Sequence, residues 1–140
     1  MAFDVNEFLA IAQKLQFDSG THSKDEATIR TTAGRMYYAA YLATRESLRF
    51  ISGDPAYDIN HSALVSFLER QTHAPSVTKV GSLLRELLKQ RKNADYYPDR
   101  VMDYRVVGMK LKDAAAVLQS QSQLRALISK KDLPVSQPVN

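Results

Sequence analysis

The chain has 140 residues, a formal net charge of +4 and no cysteine. That length suits a single domain with its own hydrophobic core, and the missing cysteine excludes disulfides, zinc-thiolate sites and thiol nucleophiles. The histidines His22, His61 and His73 lie in separate segments, so we predict neither a metal site nor a cofactor. The N-terminal residues form neither a signal sequence nor a membrane span, which predicts a cytoplasmic protein without a membrane partner.

Five helices and no strand are predicted, because apolar residues recur three and four positions apart along most of the chain. Asp4 and Glu7 form a capping pattern for the first helix, and Asn60 is a good N-cap for the third. Glycine and proline mark the breaks between segments. The predicted helices span residues 4–17, 23–51, 61–71, 76–96 and 102–129.

The second predicted helix is rich in small residues, which allow a neighbouring helix to approach closely. They are Ala33, Gly34, Ala39, Ala40 and Ala43. Glycine inside a helix costs about 1 kcal/mol relative to alanine, so we expect Gly34 to be closely packed. Tyr37, Tyr38 and Tyr41 are expected in the core and at its rim. This helix is therefore predicted to be the central spine of the fold.

These segments together predict an all-α fold, an antiparallel bundle of four to five helices. Residues 1–131 are expected to form one domain. The last residues, LPVSQPVN, carry two prolines and no apolar periodicity. We therefore predict a flexible tail over residues 132–140.

The segment 80–99, VGSLLRELLKQRKNADYYPD, breaks the pattern of the fourth predicted helix. An apolar stripe runs along it, formed by Val80, Leu84, Leu87 and Leu88. The next two positions on that line are Arg91 and Asp95, and Pro98 then ends the helix. Opposite charges on a core-facing line are costly unless they are paired or used. The sequence therefore places the candidate functional site here.

Cations crowd the same segment: Lys79, Arg85, Lys89, Arg91 and Lys92. Together with the positive net charge they favour the approach of a polyanion such as RNA. A solvated surface with a slight excess of lysine and arginine explains the charge equally well.

The residues at this site can support phosphate chemistry. Arginine clamps phosphate through two parallel hydrogen bonds, and a tyrosine hydroxyl can relay a proton. Arg91, Asp95 and Tyr96 would then support metal-free RNA cleavage, with the 2′-hydroxyl of the RNA as the nucleophile. The alternative is structural: Arg91 and Asp95 form an i, i+4 ion pair that caps the core, with Tyr96 packed beneath.

Three strings in series resemble the HEPN superfamily of small helical proteins: RTTAGRMYYAAYLATRESL, HSALVSFL and LLRELLKQRKNADYYPDR. The likeness is to a bacterial branch with a YYAAFHAAR-like helix, a downstream histidine and an arginine shortly before an Ala-Asp-Tyr triplet. It spans roughly residues 29–100. The resemblance implies a helical bundle that dimerises with its arginine motifs facing each other across a cleft.

Within that resemblance, Arg91 matches the family arginine, Asp95 and Tyr96 the acidic and tyrosine positions, and His61 the histidine of the third helix. The family's usual catalytic histidine, a few residues after the arginine, has no counterpart here. We expect catalytic roles for Arg91, Asp95 and Tyr96. We expect substrate-binding roles for Arg35, Tyr38, His61, Lys92 and Asn93.

Two functions follow as hypotheses. The first is an RNA-acting, metal-independent endoribonuclease of a toxin–antitoxin or antiphage system, active as a homodimer with Arg91 on the scissile phosphate. The second is a non-catalytic HEPN module that binds a nucleotide, RNA or a partner nucleotidyltransferase serving as antitoxin. A regulatory or scaffold subunit that uses only its dimer surface is a third, plainer possibility.

Overall fold

The computed structural model describes residues 7, 9, 10, 14, 26–97, 99 and 102–137. Five α-helices occur in residues 26–137, and no strand occurs among the residues described, so the predicted all-α bundle is confirmed. The predicted first helix, 4–17, lies outside the described residues apart from four positions. The helices are α1 (Glu26–Ser52), α2 (His61–Glu69), α3 (Pro75–Tyr96), α4 (Tyr104–Gln119) and α5 (Gln121–Leu127), followed by a 3₁₀ turn at Lys130–Asp132.

Local chemistry explains where these helices begin and end. The Asn60 side chain accepts a hydrogen bond from the Ala63 N–H at 2.8 Å, which confirms it as the N-cap of α2. Pro75 occupies the first turn of α3, where its missing N–H costs nothing. Gly53 follows α1 with a φ of +75°, a left-handed conformation that glycine adopts without strain.

Hydrogen bonds between the long helices fix their directions. Arg30 near the start of α1 donates to the Asn93 and Ala94 carbonyls near the end of α3, both at 2.8 Å. Gln121, just after α4, accepts from the Ser47 hydroxyl near the end of α1 at 2.8 Å. Helix α3 therefore runs antiparallel to α1, and α4 runs back in the direction of α1.

The core lies between α1, α3 and α4, and α2 and α5 cover its sides. The predicted stripe of α3 is buried, since Val80, Leu84, Leu87 and Leu88 all have low exposure. The largest fully buried side chains include Ile29, Met36, Tyr37, Leu48, Leu64, Leu68, Leu84, Leu87 and Leu124. No helix in the described part of the chain combines the length and apolar character needed to cross a membrane.

The predicted fifth helix, 102–129, is instead two helices that meet at Ser120. The Ser120 hydroxyl donates to the Ala116 carbonyl at 2.8 Å, a local bond that competes with helix continuation. Beside it, the Gln121 amide donates to Thr44 Oγ1 at 3.1 Å. This polar contact with α1, which apolar spacing cannot reveal, holds the junction in place.

The prediction that Gly34 packs closely against a neighbouring helix is wrong. A Cβ built there would meet no atom of the described residues within 4 Å. Ala33, Ala39 and Ala40 of the same helix are fully buried. The predicted small residues of α1 therefore do lie in the core, but Gly34 is not among them. Within the described part of the chain, no side chain fills the space beside Gly34.

The C-terminal segment, predicted to be a loose tail, lies against the loop between α1 and α2 as far as residue 137. The Tyr57 hydroxyl donates to the Pro134 carbonyl at 2.7 Å, and the Asp58 N–H donates to Ser136 Oγ at 2.9 Å. The Gln137 N–H donates to the Asp58 carbonyl at 2.7 Å. Backbone groups and hydroxyls make these contacts, so apolar spacing in the sequence does not predict them.

Candidate functional site

Arg91 and Asp95 lie at the end of α3, where its buried stripe reaches the edge of the core. Arg91 Nε lies 3.0 Å from Asp95 Oδ2, and the exposed fractions of the two side chains are 15% and 42%. The Nε–H is not aligned on that oxygen as a hydrogen bond, so the contact is mainly electrostatic. The predicted i, i+4 ion pair therefore forms, and its acidic partner faces solvent.

Two tyrosines contact the Arg91 guanidinium. Arg91 Nη2 donates to the Tyr38 hydroxyl of α1 at 2.8 Å. The guanidinium carbon lies 5.3 Å from the Tyr38 ring centre and 5.4 Å from that of Tyr96. These distances suit cation–π attraction. Arg91 is thus held by its partners, and Tyr96 is largely exposed rather than packed in the core.

His61 stands beside this arginine, at the first turn of α2, in an aromatic cradle formed by two tyrosines of α1. Its ring stacks on Tyr41 with 4.1 Å between ring centres and an interplanar angle of 16°. The Tyr37 hydroxyl is hydrogen-bonded to His61 Nδ1. Because Tyr37 and Tyr41 are four residues apart, they share one face of α1.

The hydrogen bond between the Tyr37 hydroxyl and Nδ1 links the proton of one group to the tautomer of the other. Burial raises the pKa of the Tyr37 hydroxyl far above its ordinary value, so this hydroxyl keeps its proton. When the hydroxyl donates to Nδ1, the neutral ring carries its own proton on Nε2. Burial, and then the nearby Arg91, lower the pKa of His61. His61 is therefore a neutral hydrogen-bond donor at pH 7.

A groove of about 440 Å³ joins these groups into one basic surface. The N-terminus of α2 opens into it, and the first amide groups of a helix attract anions through their free N–H groups and the helix dipole. The groove is lined by Asn60, His61, Ser62, Leu88, Arg91, Lys92 and Tyr96. We call it the phosphate groove, because a guanidinium, an ammonium, an imidazole N–H and a helix N-terminus all favour an oxyanion.

A second groove has a volume of about 550 Å³ and is lined mainly by α1, so we call it the α1 groove. Its described lining residues are Arg30, Thr31, Gly34, Arg35, Tyr38, Leu42 and Asp95. Two of them, Tyr38 and Asp95, also contact Arg91.

The structure gathers most of the predicted site residues around Arg91. Asp95, Tyr96 and Tyr38 contact it directly, and His61 and Lys92 line the phosphate groove with it. Two predicted residues lie elsewhere: Arg35 lines the α1 groove, and Asn93 lines a separate groove with Arg85, Leu88, Lys89, Lys92 and Tyr97.

Sequence reasoning missed the residues that orient His61. Tyr37 and Tyr41 were assigned to general packing, and Asp58, whose charge raises the pKa of His61 against the other influences, was not singled out. The only available signal was the four-residue spacing of the two tyrosines. It indicates a shared face but not that a histidine of another helix meets it.

Within the described residues, no three side chains of histidine, aspartate or glutamate converge as a metal site would require. Comparisons of the chain with family models, curated proteins and solved structures give no match. The HEPN resemblance, the dimer and the nucleotidyltransferase partner therefore stay predictions.

Proposed function

We propose that this chain is an RNA-acting, metal-independent endoribonuclease that binds the scissile phosphate in the phosphate groove. The observation that supports this proposal most is the convergence of His61, Arg91 and Lys92 with the N-terminus of α2. Each favours an oxyanion, and together they offer several donors to a single phosphate. RNA is the preferred polyanion because the resemblance to HEPN ribonucleases points to it.

Arg91 is proposed to bind the non-bridging oxygens of the phosphate and to stabilise the charge that develops on them. Tyr38 and Asp95 hold its guanidinium in place before substrate arrives, which reduces the ordering cost of binding. Lys92, exposed at the rim of the groove, adds a flexible positive charge.

His61 is proposed to donate a hydrogen bond from its Nε2–H to a phosphate oxygen, and it keeps this proton because a neutral imidazole is too weak an acid to release it. Asp95 is the carboxylate beside the guanidinium, and its partly exposed oxygens can accept the proton of the 2′-hydroxyl. Attack by that 2′-oxygen forms the new P–O bond as the bond to the 5′-oxygen breaks. The leaving 5′-oxygen takes up a proton from solvent, which the hydroxyl of Tyr96, a residue that is 60% exposed, is proposed to relay. The products are a 2′,3′-cyclic phosphate and a 5′-hydroxyl.

The test is RNA digestion in the presence of a chelator. The wild-type chain should cleave single-stranded RNA to cyclic-phosphate ends, and Arg91→Ala should lose at least about 100-fold in rate, the typical cost of one lost charge-stabilising donor. Lys79→Ala is the matched control, because Lys79 is an exposed cation of α3 that does not line the phosphate groove. RNA that stays intact at high protein concentration would contradict the proposal.

A second candidate is a module that binds RNA or a nucleotide without cleaving it. It is favoured by the proton on His61: with Nδ1 engaged by Tyr37 and Nε2 protonated, this histidine is not poised as a base at neutral pH. This candidate predicts saturable RNA binding that depends on Arg91, with no product even after long incubation. Cleavage to cyclic-phosphate ends would exclude it.

A further inference from the structure

A third groove, which Asn93 lines, adjoins the phosphate groove. Its volume is about 330 Å³, and its described lining residues belong to α3 and the C-cap Tyr97, so we call it the α3 groove. Leu88 and Lys92 line both this groove and the phosphate groove, and they lie one helical turn apart. The two grooves therefore border each other along these two residues.

Two rows of side chains run along this part of α3, because residues four apart lie one above the other on a helix. One row contains Lys92 and Tyr96, which line the phosphate groove. The other contains Lys89, Asn93 and Tyr97, which line the α3 groove. The two tyrosines are 60% and 43% exposed. The second row thus repeats the lysine and the exposed aromatic ring of the first.

The charges at the α3 groove favour an anion. Lys89 and Lys92 are exposed, and none of the described lining residues is acidic. Arg85 also lines the groove, but its ion pair with Glu69 of α2 offsets its charge. The two lysines, rather than Arg85, are therefore the groups that attract an anion here.

The backbone that carries Tyr97 is held against α1. Arg30 donates from Nη2 to the Tyr97 carbonyl at 3.4 Å and from Nη1 to the carbonyls of Asn93 and Ala94. A basic groove with exposed aromatic rings is the usual layout of a surface that binds single-stranded nucleic acid. The cations follow the phosphates, and the rings stack on unpaired bases, whose faces are covered in a duplex.

We propose that the α3 groove is a second RNA subsite, which binds the nucleotide next to the scissile phosphate. This inference rests on the proposed function. Lys89 binds the neighbouring phosphate, Lys92 lies between the two phosphates, and the Tyr97 ring stacks on an unpaired base. The substrate is then a single strand that spans both grooves. An acidic peptide would meet the same lysines, but it lacks bases for Tyr97 to stack on.

The test measures the binding of an uncleavable 2′-O-methyl hexanucleotide by fluorescence anisotropy over a range of salt concentrations. Lys89→Gln should weaken this binding and reduce the slope of log affinity against log salt by about 0.7, the value for one phosphate contact of a single strand. Lys79→Gln is the matched control, because it removes the same charge from an exposed position of α3 outside both grooves. It should leave the slope unchanged.

The aromatic contact is tested separately. Tyr97→Leu should weaken hexanucleotide binding at least about fivefold, the lower end of the effect of one lost stacking contact. Tyr97→Phe keeps the ring and should bind like the wild type. Sulfate reports on the phosphate groove alone, so Lys89→Gln and Tyr97→Leu should bind it with wild-type affinity.

Wild-type affinity and salt slope in both Lys89→Gln and Tyr97→Leu, in a chain whose hexanucleotide binding depends on Arg91, would overturn this inference and leave the proposed function standing. An equal loss of sulfate and hexanucleotide binding in these variants would also overturn it, because the α3 groove would not be a separate subsite. Polyglutamate that competes as well as RNA would have the same result. A wild-type chain that binds neither sulfate nor the hexanucleotide would remove the proposed function as well.

Discussion

Two glycines lie inside the two longest helices, and their surroundings differ sharply. On α3, a Cβ at Gly81 would lie 2.9 Å from the Glu69 backbone nitrogen and 3.0 Å from Leu68 Cβ. On α1, a Cβ at Gly34 would meet nothing in the described part of the chain within 4 Å. Gly81 therefore permits α2 and α3 to approach each other, whereas Gly34 leaves a groove.

Two arginines of α3, one near Gly81 and one near Gly34, differ in a similar way. Arg85 pairs with Glu69 across the α2–α3 contact, and its side chain is 53% exposed. Arg91 is 15% exposed, is held by Tyr38 and Asp95, and lines the phosphate groove. The surface at Gly81 is explained by packing alone. Among the described residues, the surface at Gly34 and Arg91 keeps open space and an ordered charge, as the proposed ligand site requires.

The largest effect on stability is expected at the packed glycine. Gly81→Ala should lower the free energy of unfolding by about 1–3 kcal/mol, because the new methyl group meets backbone that cannot move aside freely. Urea unfolding followed by circular dichroism measures this change. An unchanged midpoint would show that α2 and α3 can separate at little cost, and the contrast between the glycines would fail.

The stability of the chain is expected to depend on pH through His61, which lies beside Arg91. Burial, and after it the charges of Arg91, Lys92 and Arg45, lower the pKa of His61, and Asp58 opposes them. The folded chain thus holds His61 neutral, and the unfolded chain takes up a proton more readily near the ordinary pKa of about 6.5. The contribution of His61 to stability is therefore present above that pH and is lost as the pH falls through it.

A bound anion should raise the pKa of His61, because it favours the charged imidazole. Sulfate, which keeps its charge across the range, should bind more tightly as the pH falls from 7 to 5, up to about tenfold for each unit by which it raises the pKa of His61. His61→Gln should remove the pH dependence. Equal pH dependence in the wild type and this variant would place the anion away from His61.

Substitution of Gly34 should change the free energy of unfolding in the opposite direction to substitution of Gly81. Gly34→Ala is expected to raise the free energy of unfolding by about 0.5–1 kcal/mol, since alanine favours the helix and meets no described atom. The same urea experiment measures this gain. A loss of stability would mean that the space beside Gly34 is occupied in solution.

The smallest effect is expected at the exposed ion pair of the packed surface. Arg85→Gln should change stability by about 0.5 kcal/mol or less, because solvent screens its contact with Glu69. RNA cleavage and phosphate binding should stay at the wild-type level. A loss of either activity would extend the functional surface along α3.

The sequence predicted the parts of this molecule that follow from apolar spacing. The stripe through Leu84 and Leu87, the N-cap at Asn60 and the i, i+4 pair of Arg91 and Asp95 are local features, and the structure has all of them. The approach of His61 to Arg91 depends on how α2 packs against α1 and α3. Spacing within one helix does not encode that packing.

The wrong predictions have the same origin. Gly34 was expected to pack closely because small residues surround it, but a Cβ at this position would meet no described atom within 4 Å. The break at Ser120 depends on local polar hydrogen bonds, such as the one from the Ser120 hydroxyl to the Ala116 carbonyl. Such bonds leave no periodic trace in a sequence.

The central claim, that RNA phosphate sits between Arg91 and His61, is tested most directly with an RNA that cannot be cleaved. In a 2′-O-methyl oligonucleotide titration followed by nitrogen NMR, the His61 Nε2 and Arg91 guanidinium signals should shift together and saturate. Arg91→Ala should weaken binding at least about tenfold, as expected for losing a charged hydrogen bond, while Lys79→Ala should leave it unchanged. Undiminished binding by Arg91→Ala, with the His61 signal unmoved, would contradict the account.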